Sequence, residues 1–303
     1  GRYQHALMEL EKAIAIDPTF SGAYSAMATI NYQAFNKMAR AAQTYVTAIQ
    51  LDPARSGYYA DLGQLYLELG ESNRAGLLFA RSQDLDPDGL GAHWGTLLLR
   101  VFKGDTDEIA DNQVMIQKYL GIGPWMTQFS LAQLRNRLIA DKQYTQALAV
   151  YSATYPKLVN ESDFAIGLQN YQAAIDLALV LQKVGELEKA NDLLDKCQDF
   201  IRERTRLGLW GGQGIPEVLI LALHGEKTEA MSALRDAVDE GWRLFWWYYL
   251  RHDPNLASIR SEPGFQLIVS EIEADMSAQM QQIRVMETRG EIAAVPGVVF
   301  NPK

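Results

Sequence analysis

Four histidines, His5, His93, His224 and His252, are the side chains of this sequence best suited to acid–base work or metal ligation near neutral pH. Their spacing supports neither. No His-Glu-x-x-His pair occurs, so a metal site would have to be assembled across distant segments. The single cysteine, Cys197, can form no internal disulfide and no cysteine-built zinc site. It falls at a small-residue position of an apolar helical pattern and reads as core. Gly211-Gly212-Gln213-Gly214 is glycine-rich, yet it follows a helical pattern and no strand precedes it. A phosphate cradle needs the strand–loop–helix context. There is no Walker A loop and no nucleophile elbow. Carboxylates are plentiful, but groups such as Glu186 and Glu188 beside Lys189 read as a solvated helix face. The expectation is a chain with no catalytic set, no metal and no cofactor, whose chemistry is binding.

The densest concentration of binding-type side chains is Trp242 to Leu250. Trp242, Phe245, Trp246 and Tyr249 stand at i, i+3, i+4 and i+7, a spacing that predicts one shared helix face. Such a face is either a packed cap on the last layer of a solenoid or an aromatic contact for a ligand or partner, with Trp242, Trp246 and Tyr249 as its candidate residues.

The wider chain bounds what could be bound. Its 28 Lys and Arg against 37 Asp and Glu give a net charge of −9, which argues against a nucleic-acid backbone as partner. The longest apolar runs, Val218–Leu223 and Leu244–Leu250, fall far short of the roughly 20 residues a membrane helix needs. No signal peptide is visible. Gly1 stands at the start in place of an initiator Met, so the sequence reads as a piece of a longer protein. A single cysteine does not separate cytoplasm from periplasm.

The elements that must carry any site show a repeat. Asp17-Pro18, Asp52-Pro53 and Asp86-Pro87 place prolines 35 and 34 residues apart. Each follows a helical run, and proline stops a helix by lacking an N–H and disfavouring helix in the residue before it. The clearest unit is 56–89. Tyr59, Leu62, Gly63 and Tyr66 lie on a first helix, Gly70 marks a turn, and Ala75, Phe79 and Ser82 lie on a second. Further units read at 21–55 (Ala41, Tyr45, Ala48), 128–161 (Leu131, Leu134, Leu138, Tyr144, Ala147, Tyr151), 171–204 (Ala174, Leu177, Ala178, Leu181, Ala190, Leu194, Cys197) and 211–241 (Val218, Leu221, Ala230, Leu234, Ala237). The stretch 90–123 has the right length with few signature residues. The chain opens on half a unit, with Tyr3, Ala6, Leu10 and Ala13 on a second helix.

This pattern resembles the tetratricopeptide repeat, a 34-residue pair of antiparallel helices. The resemblance implies an all-α, right-handed superhelical solenoid with a C-terminal helical cap. It also implies a concave groove lined by first helices at their second, fifth, ninth and twelfth positions. The groove residues so implied are Gln64 and Leu67, Phe129, Asn136 and Ile139, and Gln172, Leu179 and Gln182. Amides and aliphatic groups dominate, and the basic set that clamps a terminal carboxylate in some members of the family is missing. The implied ligand is an apolar or mixed peptide segment.

The expected organisation is a first sub-solenoid over 1–123, degenerate repeats with longer helices or loops over 124–241, an aromatic cap and long helix over 242–290, and a tail over 291–303. Glycines and prolines at 121–124 and 208–216 interrupt the pattern. Phe265, Ile268, Ile272, Met276, Met280 and Ile283 form the stripe of a helix from about 263 to 289, which either lies back on its own chain or pairs with another subunit. The tail 290–303 reads as extended or loose. Gly241-Trp242-Arg243, Asp253-Pro254-Asn255-Leu256 and Pro263-Gly264-Phe265 resemble the end of repeat regions in bacterial multidomain regulators. There, a winged-helix, adenylate cyclase or kinase domain precedes the repeats. That resemblance implies a bacterial origin, on the cytoplasmic or periplasmic side, and a non-catalytic protein-interaction module serving as docking or sensory arm. Two other functions remain open. One is a small-ligand sensor using the aromatic cluster or the glycine-rich loop. The other is a self-assembling scaffold, a homodimer, formed through the open face of Leu7 and Leu10 or through the C-terminal helix.

Overall fold

The computed structural model of the chain describes residues 2–104, 124–160, 164–204 and 214–300. Every regular element among them is helical. The chain forms two compact units. The first comprises 1–103, 241–247 and 269–303, and the second 104–240 and 248–268.

In the first unit the helices are α1 (Arg2–Ile16), α2 (Ser21–Gln33), α3 (Met38–Leu51), α4 (Ser56–Glu68), α5 (Ser72–Leu85) and α6 (Leu90–Lys103). The Asp-Pro pairs do what their chemistry requires. α1, α3 and α5 each stop on the residue before the aspartate, and Asp52 and Asp86 take extended backbone with ψ 80° and 84°. Short turns make α2–α3 and α4–α5 paired hairpins, and α6 packs on both α4 and α5. The repeat residues are the contact surface: Ala41, Tyr45, Ala48, Tyr59, Leu62, Tyr66, Ala75 and Phe79 are all buried. Phe79 fits because its neighbours lack side chains. A Cβ added at Gly63 would lie 2.6 Å from its ring, and one at Gly95 would have less room still. α1, the half unit, packs on α2 but buries no residue completely.

The second unit repeats the scheme with longer pieces. Its pairs are α7 (Pro124–Ala140) with α8 (Tyr144–Thr154), α10 (Tyr171–Val184) with α11 (Leu187–Arg202), and α12 (Ile215–His224) with α13 (Lys227–Asp239). A short α9 (Pro156–Asn160) is inserted after the first pair and accounts for part of the wider spacing read in the sequence. Gly185 closes α10 at φ +90°, letting the Glu186 N–H reach back to the Leu181 carbonyl at 2.9 Å. Cys197 is fully buried on α11 beside Ala190 and Leu194. Of the glycine and proline interruptions, 121–123 and 208–213 lie outside the described residues.

The C-terminal stretch is shared between the units. α14 (Trp246–Arg251) and α15 (Pro263–Thr288) each begin in one and continue in the other. The expected aromatic helix face does not form across its full length. α14 starts only at Trp246, and Phe245 sits at φ +53°, so Trp242 and Phe245 precede the helix and follow no helical periodicity. The stripe of α15 lies against its own chain, with Phe265, Ile268, Ile272, Met276, Met280 and Ile283 all buried. In the first unit α15 crosses the starts of α3 and α5. Asp275 accepts from the Asn36 amide at 2.9 Å, Gln279 accepts from the Met38 N–H at 2.8 Å, and Glu287 pairs with Arg74 at 2.6 Å. The tail is extended as expected but held: Ile292 and Val295 are buried on the same unit.

Candidate functional site

In the first unit the first helices α2, α4 and α6 present a connected set of polar and aromatic groups. The Trp94 indole donates to Gln64 Oε1 at 2.9 Å, and Gln64 Nε2 donates to the Tyr32 hydroxyl at 3.2 Å. The Tyr32 hydroxyl in turn donates to Glu68 Oε1 at 2.8 Å. One residue from each of α2, α4 and α6 makes this row, at separations of 32 and 30 residues. Gln64, an expected groove residue, lies between Trp94 and Tyr32 in this row, and its amide is bonded on both sides. Leu67 is buried beneath it.

This face already holds a peptide segment of the chain. The Phe245 backbone N–H donates to Glu68 Oε1 at 3.0 Å, and the Trp246 indole donates to the Glu68 carbonyl at 2.9 Å. The Phe245 ring meets Trp94 edge-on at 6.1 Å, and Trp247 meets Phe102 at 5.0 Å. Trp242 and Trp246 are both buried. Arg243 anchors the segment from outside, donating to Asp275 at 2.8 Å and to the Trp242 carbonyl at 2.7 Å. Burial pushes the Glu68 carboxyl up to about 8. The Phe245 amide, the Tyr32 hydroxyl and the Trp247 indole pull the other way by favouring its charged form.

In the second unit α7 and α10 carry a buried ionic group. Arg135 is fully buried and donates to Asp176 and, at 2.9 Å, to Asp253. Asn255 donates to Asp176 at 2.8 Å and to Asp253 through its backbone N–H at 3.0 Å. Burial raises the Asp176 carboxyl, with Arg135 opposing. Two of the expected groove residues, Asn136 and Phe129, adjoin this group. Asn136 accepts from Arg135 at 2.8 Å and donates to the Tyr248 hydroxyl at 3.2 Å, and Phe129 packs on Tyr248 at 5.1 Å. Gln182 donates to the Leu223 carbonyl at 2.9 Å. Leu179 is buried, while Ile139, Gln172 and Tyr249 are half-buried.

Sequence reasoning therefore missed Tyr32, Glu68 and Trp94 in one unit, and Arg135, Asp176, Asp253 and Asn255 in the other. A signal existed for each set. Glu68 interrupts the apolar run Leu65-Tyr66-Leu67, and Asp253-Pro254-Asn255-Leu256 stood out as a motif without a partner. No group of three or more His, Cys, Asp or Glu side chains able to hold a metal occurs among the described residues. No described helix is long and apolar enough to cross a membrane.

The family model for the tetratricopeptide repeat matches residues 56–88, the pair α4–α5 that carries Gln64, Glu68 and Phe79. Residues 56–88 form a tetratricopeptide repeat. A solved structure described as the crystal structure of the P58(IPK) TPR domain is similar to the chain at 15% identity. The similarity covers 98% of this chain and 90% of that one, with a TM-score of 0.31. None of the curated proteins compared with the chain matches it. Tetratricopeptide repeats bind proteins or peptides, and in this chain the matched repeat contacts Phe245 and Trp246 of the same chain through Glu68.

Proposed function

We propose that the chain is a non-catalytic protein-interaction module that takes a peptide segment on the first-helix faces of its repeats. The observation carrying this reading is the capture of Phe245 and Trp246 by Glu68. A backbone N–H and an indole are held by one residue of the repeat, in the way a partner's segment would be held. Gln64, Asn136 and Gln182 spend their amides within the chain, which leaves half-buried Ile139 and Gln172 to meet a partner and favours an apolar or mixed segment over an acidic tail. The role of docking or sensory arm in a bacterial regulator rests on the terminal motifs 241–243, 253–256 and 263–265.

A photo-crosslinking side chain placed at half-buried Gln172, on first helix α10, tests the reading. Leu187, 58% exposed on second helix α11, is the control. In the native host, position 172 should trap a discrete protein and position 187 should not. Trapping at neither position, or equal trapping at both, would overturn the assignment of the face.

A further inference from the structure

The second helices α3 and α5 leave a channel between them, floored by Tyr59 and Tyr66 of α4, and the residues after α15 fill it. Gln43 of α3 donates to the Glu291 carbonyl at 3.0 Å. The Tyr59 hydroxyl shares its proton between the Pro53 carbonyl at 3.0 Å and the Pro296 carbonyl at 3.1 Å. Val295-Pro296-Gly297-Val298 makes a tight turn closed by the Val298 N–H to the Val295 carbonyl at 3.1 Å, with Gly297 at φ +72°. The turn folds against Arg81 of α5. Phe300 then comes back along α5, edge-on to Tyr66 at 5.6 Å and 4.6 Å from the Arg74 guanidinium.

Two features mark this segment as a ligand and not as part of the core. It has no regular structure, and only Ile292 and Val295 of residues 291–300 are buried. Its attachment is the kind of sparse contact set that opens locally before the rest of a fold. The Arg81 side chain bonds the Tyr59 hydroxyl and lies over its ring, while its buried Nε makes no hydrogen bond to the tail. The tail offers no carboxylate between Ile292 and Phe300.

We propose that this channel is a second peptide-docking site, distinct from the first-helix face. Its occupant in trans is an extended aliphatic segment with a Pro-Gly turn followed three residues on by an aromatic side chain. The chain's own tail is the resident competitor. The linkage to α15 keeps the tail at an effective concentration of about millimolar, so a partner segment must bind better than the tail does. An acceptor for Arg81 is the contact by which it would do so.

The test uses the full chain and a labelled peptide of residues 290–300. Gly297→Val releases the tail in cis, since a β-branched residue is an outlier at positive φ and its Cβ would lie 2.8 Å from Arg81 Nε. Phe300→Ala is a second, milder release, and circular dichroism checks that both variants stay folded. Fluorescence anisotropy should show the peptide binding both variants about tenfold or more tighter than the wild type. Adding Arg74→Ala to Gly297→Val should abolish that gain. Binding to no variant, or equal binding to wild type, would overturn the proposal. So would a concentration-dependent wild-type dimer that Gly297→Val removes, because the occupant would then be a second copy's tail. None of these readings depends on the crosslink at position 172.

Discussion

Phe245 donates its backbone N–H to the Glu68 carboxyl group at 3.0 Å across 177 residues of chain, and it does so from a left-handed conformation at φ +53°. A non-glycine residue held there costs on the order of 1–3 kcal/mol and persists only where its surroundings fix it. Here the fixing group is a buried acid whose carboxyl burial pushes up to about 8, from an ordinary value of 4.5. The folded state thus binds that proton more tightly than the unfolded state. The stabilisation is complete below about 4.5 and is lost as pH rises through about 8. Chemical denaturation from pH 5 to 9 should show stability falling by a few kcal/mol through this site. Glu68→Gln keeps an acceptor for Tyr32 and Phe245 without a titrating proton, and should flatten that dependence. An unchanged slope in the variant would assign the pH response to another group.

Arg135 is the opposite case, a buried cation between two buried anions. Its removal leaves Asp176 and Asp253 facing each other without a counter-charge. Arg135→Leu should therefore destabilise the chain by about 3–5 kcal/mol. Asp176→Asn keeps the shape and leaves Arg135 one anion, and should cost less. Thermal melts of the two variants check the order, and equal losses would mean that the carboxylate's packing matters more than its charge.

The part of the fold legible in the sequence is the part written locally. A helix stop depends on a proline and its predecessor, and Asp17-Pro18, Asp52-Pro53 and Asp86-Pro87 each end a helix where expected. Burial of Ala41, Tyr45, Ala75 and Phe79 follows from 3.6-residue periodicity within a single hairpin. The site residues were less legible because their roles come from distant contacts. Gln64 could be placed on the first-helix face by its position in the repeat. Nothing local says that Tyr32 and Trp94 bond its amide, or that Glu68 beside it receives Phe245. The aromatic run misled for a physical reason. The i, i+3, i+4, i+7 spacing of Trp242, Phe245, Trp246 and Tyr249 is a helical signal, but the strained turn at Phe245 breaks the periodicity. Tertiary contacts to Trp94 and Glu68 hold that turn.

Cys197 combines full burial with the neighbouring charge of Asp176, and the two together push its thiol up to about 12. A thiol in that state presents almost no thiolate at neutral pH, and thiolate is the reactive form. A chromogenic disulfide reagent should find no reactive thiol in the folded chain and one per chain in denaturant. Rapid reaction without denaturant would mean that the second unit opens around α11 far more readily than its packing implies.

Phe79 sits between two glycines on different helices, Gly63 of α4 and Gly95 of α6, and this notch sets how closely the 56–88 repeat approaches the next helix. Methyl groups there would collide with the ring, 2.6 Å away at Gly63 and closer at Gly95. The ring is buried, and Ala75 and Leu78 beside it are fully enclosed, so it has little room to move aside. Gly95→Ala should cost about 1–3 kcal/mol as overpacking, even though alanine is the better helix former by about 1 kcal/mol. The smaller Phe79→Leu creates room, so the double variant should be less destabilised than the sum of the two single changes, by about 0.5–3 kcal/mol of coupling. Denaturant melts of the four proteins close the cycle. Strict additivity would show that the ring relaxes into another rotamer and that the glycines are there for a different reason.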